Sequence, residues 1–132
     1  MLVHKHFICR AEVKKPPMKE EELRDWMQRT VKAINMKILD GPHCKYLDVV
    51  GNRGLTGVTI IETSHIAMHV WDESDPALMQ LDIYTCGPIK LGTIFEMIDE
   101  FEPIKIDYKF LDREHDLTEV LSARRVDPND LP

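Results

Sequence analysis

One short stretch concentrates the groups capable of chemistry: Glu62-Thr63-Ser64-His65-Ile66-Ala67-Met68-His69-Val70-Trp71-Asp72-Glu73. Read as a strand, it sends alternate side chains to opposite faces. His65, Ala67, His69 and Trp71 share one face. Ile66, Met68 and Val70 share the other and read as core. A little further on, Asp82, Tyr84 and Cys86 alternate in the same way, and they join the first face if the two strands pair. A thiol facing an imidazole is a competent pair for proton transfer.

Other chemistries fit these residues less well. His65 and His69 stand four residues apart, but no glutamate follows at helical spacing, and His-x-x-x-His on a strand is not a metal motif. No metal is expected. A Gly-rich phosphate loop and a G-x-S-x-G nucleophile elbow are both missing. Taken alone, Cys86 is more often a small buried hydrophobe than a reactive thiol. Residue pattern by itself therefore reaches a soluble α/β domain with a candidate His/Cys/Ser cluster.

The elements that must position this cluster are legible in outline. Residues 2–13 read as a strand, stopped by Lys14-Lys15-Pro16-Pro17. Leu23, Trp26, Met27, Val31 and Ile34 then fall on one stripe of a helix, with Glu20, Glu21 and Glu22 in its first turn, where the helix dipole favours anions. Residues 36–49 read as a strand interrupted at Asp40-Gly41-Pro42, and Gly51-Asn52-Arg53-Gly54 as a turn. Thr56–Glu62 and His65–Trp71 are strand-like and joined at Thr63-Ser64. Leu78–Cys86 is another strand. Leu91, Ile94, Phe95, Ile98 and Phe101 form a second helical stripe, and Ile104–Leu111 a last strand. The polar tail from Asp112 is expected to be loosely held or to form a short helix near Thr118–Ala123. The fold class is therefore α+β: a two-layer sandwich, mainly antiparallel, with both helices on one face. The other face or an edge is left for a homodimer.

Composition sets the remaining bounds. The chain has 132 residues, with 17 Lys and Arg against 23 Asp and Glu, a net charge of −6. One domain over residues 1–132 is expected. The acidic balance argues against nucleic acid as a partner, and no apolar run is long enough to span a membrane. Cys9, Cys44 and Cys86 cannot all pair and form no C-x-x-C. With no apolar leader at the start, a reduced, cytoplasmic setting is expected. Charge is uneven: residues 1–63 carry net +3 and residues 64–132 net −9.

Ser64-His65-x-x-x-His69-x-Trp71-x-Glu73, followed by Asp82-Ile83-Tyr84-Thr85-Cys86-Gly87, resembles the short, dimeric class of bacterial and archaeal S-adenosylmethionine decarboxylase proenzymes. The resemblance implies self-cleavage between Thr63 and Ser64, giving a β chain of residues 1–63 and an α chain of residues 64–132. Former Ser64 becomes a pyruvoyl cofactor that forms a Schiff base with the substrate amine. The substrate it implies is S-adenosylmethionine, decarboxylated to supply aminopropyl groups for spermidine. By the same resemblance His69 is the processing base, Cys86 the proton donor, and Thr56 a hydroxyl that assists processing. Trp71 would stack on adenine and Glu73 bind the ribose. The site would lie at or near a homodimer interface. Three positions depart from the family pattern. Thr63 replaces the usual Glu, Val50 stands where a second stacking aromatic would fall, and Asp72–Leu81 carries a small insertion. Two further readings stay open: a pyruvoyl-dependent arginine or ornithine decarboxylase, and an unprocessed, non-catalytic homologue.

Overall fold

The computed structural model of the chain describes residues 3–117 and 119–125. In chain order the elements are β1 (Lys5–Val13), α1 (Glu20–Ala33), β2 (Ile38–Leu47), β3 (Gly54–Ile61), β4 (Ser64–Trp71), β5 (Ala77–Thr85), α2 (Leu91–Asp99), β6 (Pro103–Asp112) and β7 (Glu119–Arg125). The seven strands form one sheet in the order β2-β3-β4-β5-β1-β6-β7. Every neighbouring pair is antiparallel. The architecture is the expected α+β sandwich.

Alternation decides which face is core. Phe7, Cys9, Ala11 and Val13 of β1, Ile66, Met68 and Val70 of β4, and Met79, Leu81 and Ile83 of β5 are buried on one side. Both helices cover that side. The buried stripe of α1 is Leu23, Trp26, Met27, Thr30 and Val31, and that of α2 is Ile94, Phe95 and Ile98. Trp26 joins the two helices: its Nε1 donates to the Met97 carbonyl at 2.9 Å, and its ring lies 5.3 Å from Phe101. Phe95 sits edge-on to Phe7 and Tyr108, which fixes α2 over β1 and β6. Gly57 lets α1 approach the sheet: a Cβ there would lie 2.7 Å from Leu23 Cδ2 and 3.0 Å from Met27 Sδ.

The local signals act as their chemistry suggests. Glu20, Glu21 and Glu22 occupy the first turn of α1, although Lys19 offers no side-chain cap. Asn35, at φ 63°, ends the helix in the left-handed conformation that Asn tolerates. The Asp40-Gly41-Pro42 interruption survives as a register shift within β2, between Asp40 and His43.

The tail departs from expectation. Glu119–Arg125 is a strand, not a short helix, and it pairs with β6 from Ile106 to Leu111. Without it β6 would present an unpaired edge, and satisfying that row of backbone groups outweighs the weak helical propensity of the segment. Lys109 adds an ion pair to Glu119 at 2.9 Å. Thr118, part of the expected helix, lies outside the described residues.

Trp26 carries the contact between the helices, so Trp26→Ala should cost about 3–5 kcal/mol, and Trp26→Phe less. Equilibrium urea unfolding, performed in a Ser64→Ala background to keep the chain intact, reads the difference.

Candidate active site

The hairpin between β3 and β4 sets the first group of residues. Ile61 pairs with Ser64, so only Glu62 and Thr63 bridge the strands. Ser64 opens β4 on the helix-facing side. It is 8% exposed, and its Oγ is buried without a hydrogen-bond partner. Cys86 immediately follows the last residue of β5, the strand beside β4, and this brings it to the hairpin. Thr63 Oγ1 lies 2.7 Å from Cys86 Sγ and 2.8 Å from the Glu62 carbonyl, sharing its proton between them. The Cys86 thiol itself donates to the Glu62 carbonyl at 3.2 Å.

This contact separates the three thiols. Burial pushes Cys9 up to about 12 and also raises Cys44. Cys86 moves the other way: the Thr63 hydroxyl holds it below the ordinary thiol range. The Ser64 side chain adds to that lowering by proximity, although its Oγ completes no hydrogen bond of normal geometry. Cys86 does not face a histidine, as strand alternation had suggested. β5 ends at Thr85, so the thiol turns towards Thr63 instead.

A second group gathers at the other end of β4. Thr56 and His69 are direct cross-strand partners, with Thr56 Oγ1 3.1 Å from His69 Nδ1. The Trp71 ring lies 6.0 Å from that imidazole, and its Nε1 donates to Asn52 Oδ1 at 2.8 Å. Glu73 accepts the backbone N–H groups of Arg53 at 2.9 Å and Gly51 at 3.1 Å. Those two bonds, Arg53 first, hold its carboxyl below the usual range. Val50, in the same turn, is exposed and makes no stacking platform.

The expected site residues thus fall into two sets, and one chain does not bring them together. Ser64 faces the helices and His69 faces away. They stand five positions apart along β4, roughly 16 Å at about 3.3 Å per residue. His69 instead borders a hollow of about 740 Å³ on the open sheet face, with Arg10, Ala67, Gln80, Asp82 and Lys109.

A third cluster was not foreseen. His6 and His65 both approach Asp82 Oδ1, the His65 nitrogen at 3.5 Å and His6 in a tighter hydrogen bond. Burial pushes the Asp82 carboxyl up, but the hydrogen bond and charge of His6, and then of His65, outweigh it and hold it low. Arg113 Nη1 donates to His6 Nδ1 at 3.2 Å and its guanidinium lies 4.2 Å over the Tyr84 ring. The three residues are close enough to share a cation. However, the Arg113 guanidinium at His6 Nδ1 sets a positive charge against them. The cluster reads as a hydrogen-bond network that fixes His65. The signal for it was faint: His4 and His6 alternate on β1, but nothing in the sequence says that β1 lies beside β5.

Comparison with known proteins bears on the fold and the family. The family profile for S-adenosylmethionine decarboxylase matches residues 11–114. An S-adenosylmethionine decarboxylase proenzyme of Archaeoglobus fulgidus is 28% identical over 117 residues, covering 86% of this chain and 99% of the relative. One from a Hydrogenobaculum species is 30% identical over 97 residues, covering 72% and 68%. The crystal structure of the adenosylmethionine decarboxylase from Aquifex aeolicus superposes with a TM-score of 0.67 at 24% identity, over 89% of this chain and 98% of that one. Fold and matches together define a decarboxylase. More narrowly, the chain belongs to the S-adenosylmethionine decarboxylase family.

The Thr63 contact makes the thiol testable by itself. In an uncleaved Ser64→Ala chain, iodoacetamide should alkylate Cys86 with a pH midpoint below that of an ordinary cysteine. Adding Thr63→Val should move the midpoint upward, because the donor that stabilises the thiolate is gone.

Proposed function

We propose that the chain is a self-cleaving proenzyme that acts as a homodimer on S-adenosylmethionine. Cleavage between Thr63 and Ser64 leaves a β chain of residues 1–63 and an α chain of residues 64–132. The observation that carries this reading is the buried, unpartnered Ser64 Oγ beside the Thr63 carbonyl, with the Cys86 thiol at the same turn. A nucleophile free of competing hydrogen bonds, adjacent to the carbonyl it must attack, fits a residue destined to become a pyruvoyl group. Once formed, that group supplies an electron-withdrawing carbonyl to the carbon that loses carbon dioxide.

The other residues divide the remaining work. His69, oriented by Thr56, is a neutral-pH base suited to the Ser64 α-proton during processing. Cys86 returns a proton to the substrate carbon. Before cleavage Thr63 holds its thiol low. Trp71 offers a face for adenine. Each Glu73 oxygen spends one acceptor position on a backbone N–H and retains another for a ribose hydroxyl.

The distance between Ser64 and His69 supports a shared site. A two-fold axis that stacks the open sheet faces with β4 strands antiparallel brings the Ser64–Cys86 end of one protomer near the partner's His69. It also covers Val58 and Ile60, exposed on that face. No helix among the described residues is long and apolar enough to cross a membrane, and we assign the enzyme to the cytoplasm, with decarboxylated S-adenosylmethionine feeding spermidine synthesis. The matched relatives are named for S-adenosylmethionine, which favours it over arginine or ornithine.

Intact mass should show two fragments from the wild-type chain and one from Ser64→Ala. Carbon dioxide should be released from carboxyl-labelled S-adenosylmethionine and not from labelled arginine or ornithine. A wild-type chain that stays whole and inert would sink the reading. Co-expression tests the shared site. Neither Ser64→Ala nor His69→Ala should complete processing alone, whereas mixed dimers should process the His69→Ala subunit. No processing in the mixture would mean that each site is built within one protomer.

A further inference from the structure

Thr63 carries a backbone conformation that its side chain resists. Its φ is 52°, in the left-handed region. The other non-glycine residues there are Asn35, Glu102 and Leu117 among the described residues, and none of these is β-branched. Asn35 and Glu102 follow helix ends, where a left-handed residue is an ordinary stop. Thr63 instead sits second in a two-residue hairpin. Favoured two-residue hairpins place their first central residue at positive φ, which matches the strand twist. Here Glu62 stays on the ordinary side and only Thr63 is left-handed, the arrangement that splays strands and calls for glycine.

The strain falls at a meaningful atom. A positive φ crowds the side chain of a non-glycine residue against its own backbone, here directly before its carbonyl. For Thr63 that carbonyl is the one Ser64 must attack. The turn is held in place from outside: Glu62 N donates to the Lys37 carbonyl at 3.1 Å, and Thr63 Oγ1 and Cys86 Sγ both reach the Glu62 carbonyl. A conformation of this kind persists only where its surroundings impose it.

Building on the self-cleavage reading, we propose that Thr63 is a positioning residue whose left-handed backbone drives the first step of processing. In that step Ser64 Oγ bonds to the Thr63 carbonyl carbon and the bond from that carbon to Ser64 N breaks. The Oγ proton ends on the nitrogen, now an amine. No oxidant or reductant is needed. The path from Thr63 to Ser64 Cα then runs through Oγ and Cβ, one atom longer than through nitrogen, and the turn can relax.

Time courses of intact mass on full-length chains test this, with hydroxylamine present to cleave the ester as it forms and so report the acyl shift. Thr63→Gly should slow ester formation about 5- to 30-fold, the factor expected from removing left-handed strain. Thr63→Asn, which tolerates the conformation, should also be slower than wild type. Thr63→Val keeps the branch and loses the hydroxyl, and should be faster than both. In the uncleaved Ser64→Ala background, Thr63→Asn should raise the urea midpoint, the opposite sign to its effect on rate. Gly and Asn chains that cleave as fast as wild type overturn the proposal and leave self-cleavage standing. So does a Val chain as slow as Gly, since the hydroxyl would then be the cause. A wild-type chain that forms no ester removes the self-cleavage reading and this proposal with it.

Discussion

The sheet's alternation is the constraint on which everything else rests. Both helices lie on one face, so every second residue of β1, β4 and β5 must be apolar and every other one is free to be something else. On β4 that freedom is used for His65, His69 and Trp71, and on β5 for Asp82 and Tyr84. The same rule puts Ser64 and His69 on opposite faces, because they differ by an odd number of positions. A site that needs both cannot be closed by side-chain rotation within one protomer. The open face also leaves Val58 and Ile60 exposed.

The two ends of the site are also held in different ways. At the Thr56–His69 end the contacts are cross-strand and follow directly from register. The Glu73 carboxylate adds a clamp on the Gly51–Arg53 turn. At the Ser64 end the contacts belong to a turn. Thr63, Glu62 and Cys86 bond to one another, and the nucleophile among them is left without a partner. The first arrangement stabilises a static binding surface. The second holds the Glu62–Thr63 turn against Cys86 in one conformation, at the position where cleavage is proposed.

Much of this was legible in the sequence. Elements with strong periodicity, such as α1 with its Leu23-Trp26-Met27-Val31 stripe and β4 with its strict alternation, lie where the pattern puts them. The two-layer class followed from each helix having a single apolar stripe. The unread parts depend on which strands become neighbours. β7 forms because β6 needs an edge partner, which a local reading of residues 118–123 cannot see. The His6–Asp82–His65 network needs β1 inserted beside β5, an arrangement with no local signature. The Cys86 contact with Thr63 depends on β5 ending one residue earlier than its apolar pattern implied. The family motif groups Ser64, His69 and Cys86 as expected site residues, and the geometry sets Ser64 and Cys86 at one end of β4 and His69 towards the other.

Strand order also bears on what would hold the two pieces together under the proposed cleavage between Thr63 and Ser64. The change from net +3 to net −9 at the cleavage point suggests attraction between the pieces, but surface charge is screened over about 8–10 Å in physiological salt. Topology gives a stronger argument. β1 belongs to the first piece and is paired on both sides, with β5 and β6, by strands of the second. β3 and β4 stay paired across the cut itself. Helix α1, from the first piece, is tied to α2, from the second, through Trp26 and Met97. Separating the pieces would strip three strand interfaces and open the core that Phe7, Phe95 and Tyr108 share. The cohesion of the sheet thus does not run through the Thr63–Ser64 bond, and the proposed cleavage there would leave the strand pairing and the core in place.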